Sequence, residues 1–190
     1  RKYGLIVLAF LLFFSSISFS QSCLPIIEYN TPDNKLEGCS PFSIYFKDPN
    51  STFSRIWEFG DGTQTSTSAT PFHTFKSGKL GDTTYTVTLT KQCNGGTQTT
   101  VEIKVFAPPK VNFKVDTTSV CAITDKATFS NLSDLGSYNW SFGDNTSSIL
   151  RNPVKIYTLG GMYDVKLTVK NAKGCEDDTT FKNLMTVNSL

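Results

Sequence analysis

Two stretches of this chain almost repeat each other: Trp57-Glu58-Phe59-Gly60-Asp61-Gly62 and Trp140-Ser141-Phe142-Gly143-Asp144-Asn145. They hold the only two tryptophans and lie about 80 residues apart. In each, Trp and Phe are two positions apart, so on a pleated strand they face the same side. The Gly-Asp-Gly and Gly-Asp-Asn that follow tolerate positive φ, which a chain reversal needs. Each stretch therefore reads as the end of a buried strand entering a tight turn. A repeat of this period in 190 residues implies two small domains rather than one large one.

The segments around the repeats read as strands. Phe42, Ile44 and Phe46 alternate with Ser43, Tyr45 and Lys47. Tyr85, Val87 and Leu89 alternate with Thr84, Thr86, Thr88 and Thr90, and Val101, Ile103 and Val105 close the first repeat. Pro108-Pro109 is a stiff boundary. The second repeat copies the order: Val111–Asp116 opens it, Phe129 precedes Trp140 as Phe46 precedes Trp57, and Pro153–Tyr157 matches Pro71–Phe75. Tyr163, Val165, Leu167 and Val169 repeat the alternating strand, and Asn171–Gly174 turns it. Short strands with turn signals every 8–12 residues predict two tandem immunoglobulin-like antiparallel β-sandwiches.

The first twenty residues differ. Arg1 and Lys2 precede an apolar run from Leu5 to Phe14, and small residues around Ser18 and Ser20 follow. This is the pattern of a signal peptide over 1–20, leaving domains at 21–107 and 108–190. The lack of an initiator Met reads as a fragment of a longer chain. Without Arg1 and Lys2, the 18 basic residues fall into balance with the 16 acidic ones. A near-neutral chain with no basic stripe lacks the electrostatic footprint of nucleic-acid binding.

Trp-x-Phe-Gly-Asp, then Pro71-Phe72-His73-Thr74-Phe75, then Thr84-Tyr-Thr-Val-Thr-Leu-Thr resembles the PKD (polycystic kidney disease) domain. The second repeat is similar through Trp140-Ser-Phe-Gly-Asp and Gly161-Met-Tyr-Asp-Val-Lys-Leu-Thr-Val. Gly38-Cys39-Ser40-Pro41 and Lys173-Gly174-Cys175 resemble the version found in large secreted proteins of Bacteroidota, including gliding-associated surface proteins. Asn145 departs from the usual Gly, and Lys155-Ile156-Tyr157 from the usual His-Thr-Tyr. The resemblance implies an extracellular module for spacing, adhesion or ligand contact, without catalysis.

The parity of Trp57 with Phe59, and of Trp140 with Phe142, places the indoles in the inter-sheet core rather than on a sugar-stacking surface. Gly60, Asp61, Gly143 and Asp144 complete the two core motifs, each Asp holding its turn by accepting backbone N–H bonds. The cluster Glu176-Asp177-Asp178 reads as a solvated hairpin, not a calcium site. His73, the sole histidine, lacks any converging nucleophile and reads as structural. No catalytic, cofactor-binding or metal-binding residue is assigned, and no cofactor is expected. Tyr45 has outward parity and is the candidate surface contact, with Thr128 in its place in the second repeat. Asp82-Thr83-Thr84, Asp116-Thr117-Thr118 and Asp178-Thr179-Thr180 resemble a Bacteroidota O-glycosylation motif, against the plainer reading of ordinary strand threonines.

Five cysteines in an exported chain point to disulfides. Cys39 and Cys121 precede the second strand of their repeats, while Cys93 and Cys175 sit at the last hairpin. Opposite ends of a sandwich are roughly 20 Å apart, and a disulfide needs Cα atoms within about 7 Å. Pairing within each repeat is thereby disfavoured. The candidate bridges are Cys23–Cys93 and Cys39–Cys175, with Cys121 left for a further repeat. The expected function is a non-catalytic extracellular spacer or adhesion stalk on the outer face of the bacterial cell, gliding- or adhesion-associated. The alternative is a carbohydrate- or protein-binding accessory module of a larger secreted hydrolase or protease. Expected partners are a cell-surface protein or a polysaccharide, not nucleic acid, with further repeats following in the full chain.

Overall fold

The computed structural model describes residues 4–6 (backbone alone), 24–50, 53–78, 81–93 and 95–189. Its contacts divide the chain into Arg1–Ala107 and Pro108–Leu190. All described regular structure is β, and no helix among the described residues is long and apolar enough to cross a membrane. Of residues 1–20, where a signal peptide is expected, only a short strand over Gly4–Ile6 lies within the described residues.

The first unit contains β1 (Gly4–Ile6), β2 (Ile27–Asn30), β3 (Glu37–Cys39), β4 (Phe42–Lys47), β5 (Arg55–Glu58), β6 (Phe72–Phe75), β7 (Thr83–Lys91) and β8 (Thr97–Phe106). One sheet runs β1-β2-β4-β6 and the other β3-β8-β7-β5. The long hairpin of β7 and β8 keeps one register from Lys91↔Thr97 to Thr83↔Val105. Alternation sends Val87, Leu89, Val101, Ile103 and Val105 inward against Ile44, Phe46, Trp57 and Phe75, all buried. Trp57 is fully buried at the centre, and its indole Nε1–H donates to the Ser68 carbonyl at 3.0 Å.

The second unit contains β9 (Phe113–Val115), β10 (Ser119–Cys121), β11 (Ala127–Asn131), β12 (Ser137–Ser141), β13 (Ser147–Ser148), β14 (Val154–Lys155), β15 (Gly161–Lys170) and β16 (Glu176–Asn188). Its sheets run β10-β16-β15-β12-β13 and β14-β11-β9. Trp140 is again fully buried, pairs with Leu167 as Trp57 pairs with Leu89, and donates to the Leu150 carbonyl at 2.8 Å.

One feature departs from a purely antiparallel sandwich. β3 runs parallel to β8, and β10 runs parallel to β16. The chain leaves the first sheet after β2, pairs briefly along the closing strand of the second sheet, and returns as β4. These three-residue strands have no alternating pattern of their own, because long-range pairing alone defines them.

Candidate functional site

The repeated motif forms the same turn twice. Gly60 has φ +76° and Gly143 has φ +81°. A Cβ on Gly60 would lie 2.5 Å from the Thr86 carbonyl oxygen, and one on Gly143 would lie 2.6 Å from that of Asp164. Both positions therefore demand glycine for conformation and for space. The turn aspartates then gather donors. Asp61 accepts from the Thr63 N–H at 3.1 Å and the Thr63 hydroxyl at 2.5 Å. Asp144 accepts from the Thr146 N–H at 3.1 Å and the Thr146 hydroxyl at 2.6 Å.

The second oxygen of each carboxylate meets a basic side chain from a strand of the opposite sheet. In the first unit His73 Nε2 lies 2.7 Å from Asp61 Oδ2, its ring stacked on Phe59 with centroids 3.9 Å apart and planes 2° off parallel. In the second unit Lys155 Nζ lies 2.6 Å from Asp144 Oδ2, donates to the Thr146 hydroxyl, and sits over the Phe142 and Tyr157 rings. Partial burial works to raise both carboxyls. Bonds from Thr63 and His73 outweigh it at Asp61, and bonds from Lys155 and Thr146 outweigh it at Asp144, so both stay below the ordinary aspartate value. Burial, with Asp144 nearby, pushes the Tyr157 phenol well up, and its hydroxyl donates to the Phe142 carbonyl at 3.2 Å. The sole histidine is thus built into a turn, with no nucleophile in its hydrogen bonds.

A buried charged cluster in the first unit has no forerunner in the sequence reading. Asp48, Arg55 and Lys91 are all buried, in line with their parity: Asp48 shares that of Phe46, Arg55 that of Trp57, and Lys91 that of Leu89. Asp48 Oδ2 lies 3.4 Å from Arg55 Nε and contacts Lys91 Nζ, which also donates to the Asn50 carbonyl. Arg55 and Lys91 form a cross-strand pair. The same pair in the second unit is Tyr138 and Val169, and Asn131 stands where Asp48 stands. Extending the alternation of β7 by one step beyond Leu89 would have flagged Lys91.

Tyr45 is 58% exposed on the outer face of the β2-β4-β6 sheet. Phe72, its cross-strand partner, is 52% exposed, with ring centroids 4.6 Å apart and planes inclined at 46°. Sequence reasoning singled out Tyr45 and passed over Phe72. The outward parity of Phe72 follows from its three-residue offset to the buried Phe75.

The remaining candidates resolve as structural elements. Lys170 pairs with Glu176 at 3.0 Å and Lys166 with Asp178 at 3.2 Å, so two of the three hairpin acids are paired with lysines of the partner strand. Among the described residues no group of three His, Cys, Asp or Glu converges on a metal position. Thr83 bonds the Gly78 N–H and the Gly81 carbonyl, Thr117 the Ser119 carbonyl, and Thr179 the Val111 carbonyl. Asp116 accepts from the Thr128 N–H and the Thr117 N–H, both at 2.8 Å, and these bonds hold its carboxyl low. Thr83, Thr117 and Thr179 therefore have their hydroxyls engaged in the fold, which favours the plain reading of the Asp-Thr-Thr motifs.

Cys39, Cys93 and Cys175 are disulfide-bonded, and Cys121 is a half-buried free thiol. Cys23 lies outside the described residues. Within the first unit, Cys39 pairs with Phe106 at the far end of β8, while Cys93 precedes its start at Thr97. The length of β8 separates them by roughly 30 Å, several times the reach of a disulfide.

Over 40 residues the chain is 50% identical to collagenase ColA of Bacillus cereus, a stretch making up 21% of this chain and 4% of that enzyme. The PKD1 domain of Vibrio anguillarum Epp is 31% identical over 43% of this chain and 96% of that domain, with a TM-score of 0.37. The PKD1 domain of the Vibrio cholerae metalloprotease PrtV is 27% identical over 43% of this chain and 98% of that domain, also at 0.37. The PKD domain family profile matches residues 23–107 and again 106–187. With both repeats matched along nearly their full length, the chain belongs to the PKD domain family, as two tandem members.

Proposed function

We propose that this chain is a non-catalytic, exported segment of a larger protein, a pair of PKD modules acting as a spacer or adhesive stalk on the outer face of the cell. The observation that carries the reading is the duplicated turn lock. Each unit commits its turn aspartate and the facing basic side chain, His73 or Lys155, to holding its own fold. Residues 1–20 are then a cleaved leader, with mature domains at 21–107 and 108–190, in keeping with oxidised cysteines.

Within this reading the bridges are Cys23–Cys93 and Cys39–Cys175. A free Cys121 and the separation of Cys39 from Cys93 support that choice. So does the entry of the chain at Leu24 into β2, whose Glu28 pairs with Lys47 beside Asp48, a direct neighbour of Lys91. A covalent tie between modules would stiffen them as a spacer. The test is a non-reduced peptide map of the secreted protein, with NMR relaxation before and after reduction. Linked Cys39–Cys175 peptides and faster, independent tumbling after reduction are expected. A Cys39–Cys93 peptide, or tumbling unaffected by reduction, overturns the stiffened-spacer reading.

A second reading, an accessory binding module of a secreted hydrolase or protease, is favoured by the exposed Tyr45–Phe72 pair. Replacing the segment in its parent protein by an unrelated pair of β-sandwiches separates the two. A spacer is replaceable without loss, and a binding module is not.

A further inference from the structure

The outer face of the first unit carries two aromatic rings that its core does not need. On β4 and β6 the inward side chains Ile44, Phe46 and Phe75 are buried, so the inner face is already filled. Tyr45 and Phe72 face the other way, on adjacent strands, each more than half exposed and in contact with the other. Scattered exposed apolar residues need no explanation, but a paired aromatic surface on a strand pair does. β6 is also the outermost strand of its sheet, so the platform opens at an edge. The second unit has Thr128 and Val154 at the same pairing and carries no such platform.

The surroundings of the rings select the kind of ligand. One step along the strands, Ser43 and Thr74 are cross-strand partners with hydroxyls 2.8 Å apart. On the other side Asn30 is paired with Tyr45 across β2. The one cation on this face of β4, Lys47, is paired with Glu28 at 3.1 Å, and Lys76 lies past the end of β6 beyond Thr74, so the cation on β4 beside the rings is already compensated. Nucleic acid requires a basic groove beside its stacking rings, and the paired Lys47 does not supply one. A pyranose ring matches better. Its axial C–H face is apolar and slightly positive, and it stacks on the negative face of an aromatic ring. Its equatorial hydroxyls radiate outward, where the Ser43, Thr74 and Asn30 groups lie beside the rings.

We propose that Tyr45 and Phe72 form a stacking platform for a neutral polysaccharide, with Ser43, Thr74 and Asn30 bonding the sugar hydroxyls. This inference rests on the binding-module reading, not on the spacer reading. The experiment is retention of the full chain on cellulose, chitin and xylan, with gelatin as a protein surface, at low salt and in high salt. Tyr45→Ala, Phe72→Ala and the double variant are compared with Ile149→Ala, which removes a still more exposed apolar side chain from the second unit. Tryptophan fluorescence monitors folding. Retention on at least one polysaccharide is expected, insensitive to salt, reduced at least tenfold by the double variant and unchanged by Ile149→Ala. Absence of retention on all three polysaccharides overturns the proposal, as does retention that the folded double variant preserves. Gelatin binding that depends on Tyr45 and Phe72 overturns the sugar assignment while leaving the binding-module reading standing. Loss of polysaccharide retention when the first unit alone is replaced by an unrelated domain supports both.

Discussion

The two units share one frame and fill it differently. Both place a fully buried tryptophan opposite a leucine, bend at a glycine that admits no side chain, and fasten the bend with an aspartate. Around that frame the chemistry diverges. The first unit buries Asp48, Arg55 and Lys91 where the second has Asn131, Tyr138 and Val169. The first closes its turn with a histidine and the second with a lysine. The comparison teaches that backbone geometry and the indole define this fold, whereas charge inside it is interchangeable with neutral packing.

The sharpest way to break that comparison is Asp48→Asn. Alone, it leaves Lys91 and Arg55 buried without a counter-charge, at an expected cost of about 3–5 kcal/mol in denaturant unfolding of the first unit. Combining it with Arg55→Tyr and Lys91→Val installs the second unit's set and should restore stability to within about 1–2 kcal/mol of the parent. A single Asp48→Asn that costs under about 1 kcal/mol would show the cluster to be inert.

Gly60→Ala and Gly143→Ala come next, at about 2–3 kcal/mol each, because both meet a carbonyl oxygen at positive φ. Unequal costs from thermal unfolding would mean that the two turns are not equivalent.

Asp61→Ala and Asp144→Ala should each cost about 2 kcal/mol at neutral pH, the scale of bonds to an ionised acceptor. Both carboxyls are held below their unfolded values, so their contribution is complete above the ordinary aspartate range and fades as pH falls through the folded values. Stability measured from neutral to acid pH should show this loss in the parent and less of it in each variant. His73→Lys, which gives the first unit the lock of the second, should change stability by under about 1 kcal/mol. The smallest effect belongs to Glu176→Gln on the exposed hairpin, at under about 0.5 kcal/mol. A larger loss would restore a special role to the acidic cluster.

Much of this architecture is legible in the sequence, because period-two alternation records which side chains face inward. Trp57 and Phe59, Tyr85 to Leu89, and Val165 to Val169 all carry that signal. β3 and β10 escape it, since three residues such as Glu37-Gly38-Cys39 have no pattern and owe their place to a strand far along the chain. The charged cluster escaped for a different reason. Alternation points Lys91 inward, but hydropathy argues it outward, and only its partners Asp48 and Asn50 make burial tolerable. Phe72 was hidden within a motif whose other members, His73 and Phe75, face the core.

The short parallel strand that alternation misses has a mechanical consequence. In each unit it ties a segment near the start of that unit to the strand that ends it, both running the same way. Tension transmitted through the ends of a unit draws such a pair apart along its own length, in shear. The rungs from Glu37 to Cys39, and from Ser119 to Cys121, must then yield together, whereas an antiparallel hairpin pulled at its open end unzips rung by rung.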